Sequence, residues 1–171
     1  MLRYSGKPAD EMRYFLSLGS NLGDRKANLA RAVALIEKER VKIVSESSIY
    51  ESEPVDFLDQ PWFFNQVVEV DSGLTPSAVL DLAKKIEKAM KRTPGRDKGP
   101  RRIDIDILLA EETIIDTEVL KIPHPRMDRR NFVLAPLKEI APDVVHPVLK
   151  KTVGQLWRES RDPSVVKRIE Q

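Results

Sequence analysis

Apolar positions along this chain switch between a two-residue and a three-to-four-residue period, and the switches outline its elements. Tyr14 to Gly19 alternates as a short strand and runs into a glycine-bounded turn, Gly19-Ser20-Asn21-Leu22-Gly23. Asp24 stands where a helix N-cap belongs, and Leu29, Val33 and Ile36 follow at helical spacing, which predicts a helix to about Arg40. Val41 to Tyr50 is β-branched and reads as a strand. Glu51 to Pro61, with two prolines and several acidic residues, reads as a loop, and Trp62 to Val70 returns to strand pattern. Thr75-Pro76 opens a helix to about Met90, with Val79, Leu82, Ala83, Ile86 and Met90 on one stripe. A loop at Thr93 to Pro100 precedes a strand at Ile103 to Leu109. The order β-α-β-β-α-β predicts an α+β, ferredoxin-like antiparallel sheet with two helices on one face. Phe132 to Ile140 and Thr152 to Glu159 read as further C-terminal helices able to cover part of the other face, giving three layers, α/β/α. Met1 to Glu11 is polar and lacks periodicity, and residues 1–13 are expected to form an N-terminal extension; residues 14–171 are expected to form a single domain.

The strand at Ile103 to Leu109 carries the candidate chemistry. Ile103, Ile105, Ile107 and Leu109 are expected on the core face, with Asp104 and Asp106 together on the other, about 6.6–6.8 Å apart along the strand. Two like charges so placed repel unless a cation lies between them. Mg²⁺ is commonly held by one or two carboxylates plus substrate phosphates, so the segment reads as a metal–phosphate platform. The alternative is an amphipathic strand with a solvated outer face.

Composition narrows the choice. The 171 residues are 41% hydrophobic and 33% charged, as expected of a soluble globular domain able to bury a core without staples. A net charge of +2 gives no global field for nucleic acid. Locally, Lys84 to Arg102 is strongly basic, opposed only by Glu87 and Asp97, which suits a polyanion such as a nucleoside triphosphate or, alternatively, a solvated helix face. The absence of cysteine excludes disulfides, thiolate metal sites and cysteine nucleophiles. No apolar run is long enough to span a membrane and no signal-peptide pattern opens the chain, so a cytoplasmic protein without membrane or nucleic-acid partners is expected.

Four separated segments then point one way: Phe15-Leu-Ser-Leu-Gly-Ser-Asn-Leu-Gly-Asp24, Gln60-Pro-Trp-Phe-Phe-Asn65, Gly99-Pro-Arg-Arg-Ile-Asp-Ile-Asp106, and Ile122-Pro-His-Pro-Arg-Met-Asp-Arg-Arg-Asn-Phe-Val-Leu-Ala-Pro-Leu137. In this order and spacing the chain, from about Tyr14 to Trp157, closely resembles the 6-hydroxymethyl-7,8-dihydropterin pyrophosphokinases of folate biosynthesis. The resemblance implies transfer of pyrophosphate from ATP to the pterin hydroxymethyl group, with AMP released and two Mg²⁺ ions held by Asp104 and Asp106. Either aspartate could also accept the hydroxyl proton. It implies that Arg101, Arg92 and Arg96 assist catalysis, and that Glu87, Arg101, Ile107, His124 and Arg130 line the ATP site. Phe63 and Phe132 are expected to sandwich the pterin, Asn65 to meet its pyrimidine edge, and Ser52 and Val55 to complete the pocket. Without the resemblance, core packing for the phenylalanines, a surface ion pair for Arg130, a hydrogen-bonding structural role for His124 and an i,i+4 pairing of Glu87 with Lys91 are the ordinary readings. A monomer acting on small molecules is expected.

The chain departs from the family pattern at Lys91 to Gly99. Many members have Gly-Arg-x-Arg and a tryptophan before Gly-Pro-Arg, whereas here Lys91-Arg92, Pro94 and Lys98 occur. Glu53 stands where proline is frequent, and Lys121 is near the strand that contacts adenine. Two competing readings follow: another two-metal phosphotransferase or nucleotidyltransferase, against which Phe63, Asn65 and Phe132 speak, and a binding module with a disabled loop, against which Asp104, Asp106 and Arg101 speak.

Overall fold

The computed structural model describes residues 10–90 and 99–170. Its first half contains β1 (Met12–Ser20), α1 (Arg25–Glu37), β2 (Val41–Glu46), β3 (Tyr50–Ser52), β4 (Phe63–Ser72), α2 (Pro76–Ala89) and β5 (Asp104–Ala110). A small hairpin, β6 (Ile115–Asp116) and β7 (Lys121–Ile122), then leads through a 3₁₀ turn at Met127–Arg129 to α3 (Asn131–Ile140), α4 (Val153–Glu159) and β8 (Val166–Arg168).

The main sheet is antiparallel throughout, in the order β5-β1-β4-β3-β8, with β2 also paired to β4. This is the expected ferredoxin-like arrangement, extended at one edge by β8. The helix starts follow the predicted caps. Asp24 accepts from the Ala27 amide at 3.0 Å, and Thr75 accepts from the Ala78 amide at 3.2 Å with Pro76 next. The predicted stripes pack inward: Leu29, Val33 and Ile36 of α1 and Val79, Ala83, Ile86 and Met90 at α2 are buried with Tyr14, Leu16 and Leu18 of β1 and Ile105 and Ile107 of β5, and Leu82 is partly buried against them. On the opposite face Phe15, Val67, Leu108, Leu109, Met127, Val133, Leu137 and Val153 form a second cluster under α3 and α4. Each fully buried large apolar side chain contributes roughly 1.5–3 kcal/mol, so both helical layers are held mainly by burial.

Several boundaries depart from the sequence reading. β1 begins at Met12, not Tyr14, because Arg13 makes a bidentate ion pair with Asp71 of β4 at 2.9 and 3.0 Å. Met12 and Arg13 therefore belong to the sheet and not to the N-terminal extension. α1 stops at Glu37, and Arg40 turns the chain at φ 58°. The strand predicted from Val41 to Tyr50 is two strands. Between them Ser47 exchanges bonds with Val67: its amide donates to the Val67 carbonyl at 2.9 Å and its hydroxyl accepts from the Val67 amide at 2.9 Å. A side chain thus fills one position of the ladder, and the chain bends. Glu51 and Ser52, predicted in a loop, lie in β3. Leu109 does not share the isoleucine face: the register between β1 and β5 shifts after Phe15, and Leu108 and Leu109 both join the second cluster.

Candidate active site

α3 and α4 leave part of the second sheet face open, and there a cleft is lined by residues of β1, β3, β4, β5, the loop after β3 and the start of α3. Its floor follows from strand register. Asp104 of β5 lies opposite Gly19 of β1, which lies opposite Asn65 of β4; one step along, Asp106 faces Ser17, which faces Val67. The sheet centre is thus paved with small residues between two carboxylates and the β4 side chains. A Cβ on Gly19 would lie 3.6 Å from Asn65 Oδ1 and 3.7 Å from a Phe63 ring carbon, so its absence keeps the floor open.

At one end stand the charges. Asp104 and Asp106 share the cleft face of β5, as the alternation predicted. Arg101 Nε approaches Asp104 Oδ2 at 3.3 Å, and the guanidinium lies 5.1 Å from the centroid of the Phe63 ring. Arg130 pairs with Asp56 at 3.8 Å and lies 5.6 Å from the Phe132 ring. Burial, then repulsion from Asp104 and Glu87, pushes the Asp106 carboxyl up to about 7, against the pull of Arg130 and Arg101. A cation would relieve that repulsion. Among the described residues no cluster of three or more His, Cys, Asp or Glu residues could hold a metal, so the donor set here is two carboxylates. That set fits Mg²⁺, which takes its remaining ligands from phosphates and water.

The other end is mainly apolar. Phe63, two residues before Asn65 on β4, and Phe132, on the first turn of α3, both line it, with Val55 and Ser52 alongside. Asn65 is buried, and its amide nitrogen donates to Ser52 Oγ at 2.7 Å and to the Tyr50 carbonyl at 3.2 Å. Both amide hydrogens are thereby used, leaving Oδ1 as its acceptor toward the cleft, where sequence reasoning assigned it both donor and acceptor roles. The start of α3 is fixed by the C-terminal segment: the Asn131 amide donates to Asp162 at 2.8 Å and the Ser160 hydroxyl donates to Asn131 Oδ1 at 2.6 Å. That clamp sets Arg130 and Phe132 on either side of Asn131.

The remaining predicted residues lie elsewhere. His124 is half-buried; burial, with Arg130 and Arg126 nearby, lowers it to about 4, so it is neutral at pH 7. Its Nδ1 accepts from the Arg126 amide at 3.1 Å, which assigns the proton to Nε2 as a donor. Glu87 does not line the cleft: it is 6% exposed on α2 and accepts from the Ile105 amide at 3.2 Å, so it braces the outer edge of β5. The Ile107 side chain is in the core, which leaves only its main chain for a ligand. Arg92 and Arg96, with Lys98, lie outside the described residues. Sequence reasoning missed Ser17, Gly19, Glu53, Pro54 and Asp56 as lining residues. For Ser17 and Gly19 the signal was present, because they are the small residues alternating with Leu16 and Leu18.

Comparison with known proteins decides the family. The model of the 7,8-dihydro-6-hydroxymethylpterin-pyrophosphokinase family matches residues 15–142. The chain belongs to this pyrophosphokinase family. Among its relatives, the 2-amino-4-hydroxy-6-hydroxymethyldihydropteridine pyrophosphokinase of Bacillus subtilis is 47% identical over 131 residues, covering 76% of this chain and 78% of the relative. The folic acid synthesis protein fol1 of Pneumocystis carinii is 40% identical over 156 residues, 91% of this chain, but the match spans only 21% of that longer protein. A solved wild-type HPPK-DHPS structure from Plasmodium falciparum shares the fold with a TM-score of 0.69 at 17% identity, over 87% of this chain and 44% of that one. The cleft lies within the matched segment, apart from the Ser160–Asp162 clamp, which comes from beyond it.

Proposed function

We propose that this pyrophosphokinase transfers the terminal pyrophosphoryl group of ATP to the primary hydroxyl of 6-hydroxymethyl-7,8-dihydropterin, releasing AMP and the pterin diphosphate, with two Mg²⁺ ions held by Asp104 and Asp106. The observation that carries the reading is one cleft with a carboxylate pair and two arginines at one end and Phe63, Asn65 and Phe132 at the other. Family membership supplies the reaction class.

In this reading Phe63 and Phe132 hold the ring by stacking, and Asn65 Oδ1 accepts from its pyrimidine edge, which orients the hydroxymethyl group toward Asp104 and Asp106. Mg²⁺, when bound, neutralises triphosphate charge and polarises the phosphoryl oxygens. Arg101 and Arg130 are held near the carboxylates by charge before substrate enters, by Asp104 for the first and by Asp56 for the second. A triphosphate offers each a stronger, multidentate partner, so both are poised to turn toward it without crossing the cleft. Neutral His124 contributes an Nε2–H donor. Arg92 and Arg96 would add positive charge from the segment before Gly99. We assign the reaction to a cytoplasmic monomer acting on these two small molecules alone, which light scattering with and without substrates tests.

The direct test is substitution of the pair. Asp104→Ala and Asp106→Ala should each fold and lose turnover by at least about 10²-fold, the scale of removing one electrostatic stabiliser. Near-wild-type AMP production by either variant would remove the metal assignment.

A further inference from the structure

Asn21 sits outside the cleft, 2% exposed, at the turn between β1 and α1, and it joins three segments of the chain. Its amide donates to the Arg101 carbonyl at 3.1 Å, and its Oδ1 accepts from the Arg101 amide at 2.8 Å. Its side-chain nitrogen donates to Gln60 Oε1 at 2.9 Å and to the Pro61 carbonyl at 3.0 Å. Gln60 in turn donates to the Phe57 carbonyl at 2.6 Å, which gathers the loop that carries Val55 and Asp56 into the cleft. One buried amide thus uses its oxygen and both hydrogens, and no other residue type offers that acceptor and two donors at this length.

The two arms reach opposite ends of the site. The Arg101 arm grips main chain, so it fixes where the guanidinium stands between Asp104 and the Phe63 ring. The Gln60–Pro61 arm fixes the loop on the apolar side. We propose that Asn21 is a positioning residue that sets the distance between the phosphate-binding arginine and the pterin-side loop, and so the alignment of the two substrates. This rests on the function proposed above. Asn21 touches neither substrate in this account; it acts through Arg101 and the loop.

The two arms predict separable effects. Asn21→Ala removes the side-chain bonds of both arms, leaving only the main-chain bond to the Arg101 carbonyl, and should lower kcat on the order of 10²-fold, the scale of an ångström's misplacement at the reacting atoms, while also raising the pterin KM. Gln60→Ala loosens only the loop arm; it should raise the pterin KM several-fold while kcat and the ATP KM stay within about threefold, the range of ordinary surface substitutions. Asn21→Asp keeps the acceptor for the Arg101 amide but turns an anionic oxygen on Gln60 Oε1 and the Pro61 carbonyl, so it should recover part of the kcat lost in the alanine variant while raising the pterin KM at least as much as that variant does. The experiment is steady-state AMP formation with each substrate varied, on wild type and the three variants, with thermal unfolding of each in parallel. A wild type without pterin-dependent AMP would overturn the function itself. An active wild type with Asn21→Ala at unchanged kcat would overturn the role of Asn21 alone. So would Asn21→Asp as impaired in kcat as Asn21→Ala, or all variants losing kcat in proportion to their unfolding temperature.

Discussion

The cost of holding Asp106 beside Asp104 gives a prediction in which activity and stability move in opposite directions. The Asp106 carboxyl is raised from an ordinary 3.8 to about 7, first by burial and then by Asp104 and Glu87. Between those values the unfolded chain ionises this group and the folded protein resists, so the unfolded state binds fewer protons. Stability therefore falls as pH rises from about 4 to about 7 and is level above that. At roughly 1.4 kcal/mol per pH unit the full shift would be about 4–5 kcal/mol. Arg101 and Arg130 can move toward the charge and relieve part of it, so an expected gain of about 1–3 kcal/mol for Asp106→Asn at pH 8 without metal is the working figure. For a chain this long, that is a rise of several degrees in unfolding temperature, at roughly 2–4 °C per kcal/mol. Thermal unfolding in EDTA from pH 4 to 8 measures it. The difference between variant and wild type should be small at pH 4, grow to pH 7 and then level. Added Mg²⁺ should stabilise wild type more than the variant, because the ion binds only the folded pair. Equal or lower unfolding temperature for Asp106→Asn at pH 8 in EDTA would refute the electrostatic reasoning.

Further outcomes follow from the same geometry. Gly19→Ala should fold as well as wild type, since its new Cβ meets only ordinary contacts, yet weaken pterin binding by intruding on the cleft floor; fluorescence titration with a pterin reads this, and unchanged affinity would place the ring elsewhere. Phe132→Ala should weaken pterin binding about tenfold, the value of one lost stacking face, with little change in nucleotide affinity; calorimetry separates the two. His124 should titrate near 4, so nitrogen NMR should find it neutral at pH 6.5, and His146, whose Nδ1 accepts from the Val148 and Leu149 amides, should be held below its ordinary value by burial. Because His124 is depressed, the unfolded chain takes up its proton first and stability falls as pH drops from 6.5 toward 4; a charged His124 at pH 6 would contradict its burial beside Arg130 and Arg126.

The parts of the site that were legible in the sequence are those set by strand period alone. Asp104 and Asp106 share a face because side chains alternate, and Phe63 and Asn65 do so for the same reason. Register is a different quantity. Nothing local to β5 announces that Leu108 is the extra residue where β1 passes from Phe15 to Leu16, so alternation alone puts Leu109 in the wrong layer. The pairing of Asp104, Gly19 and Asn65 across three strands likewise exists only once the sheet assembles. Asn21 and Glu87 show the same limit: their partners include main-chain groups of other segments, Arg101 and Ile105, and no side-chain pattern encodes those bonds. β8 is three residues long, too short for alternation to register, and it forms because β3 leaves an edge to be paired.

The central claim is a pyrophosphoryl transfer, and its products distinguish it from every simpler kinase reaction. ATP and Mg²⁺ should be incubated with the protein, with and without 6-hydroxymethyl-7,8-dihydropterin, and the nucleotides separated. AMP formed in proportion to pterin, without ADP, is the expected result. ADP as the product, or no nucleotide turnover while both substrates bind, would contradict it.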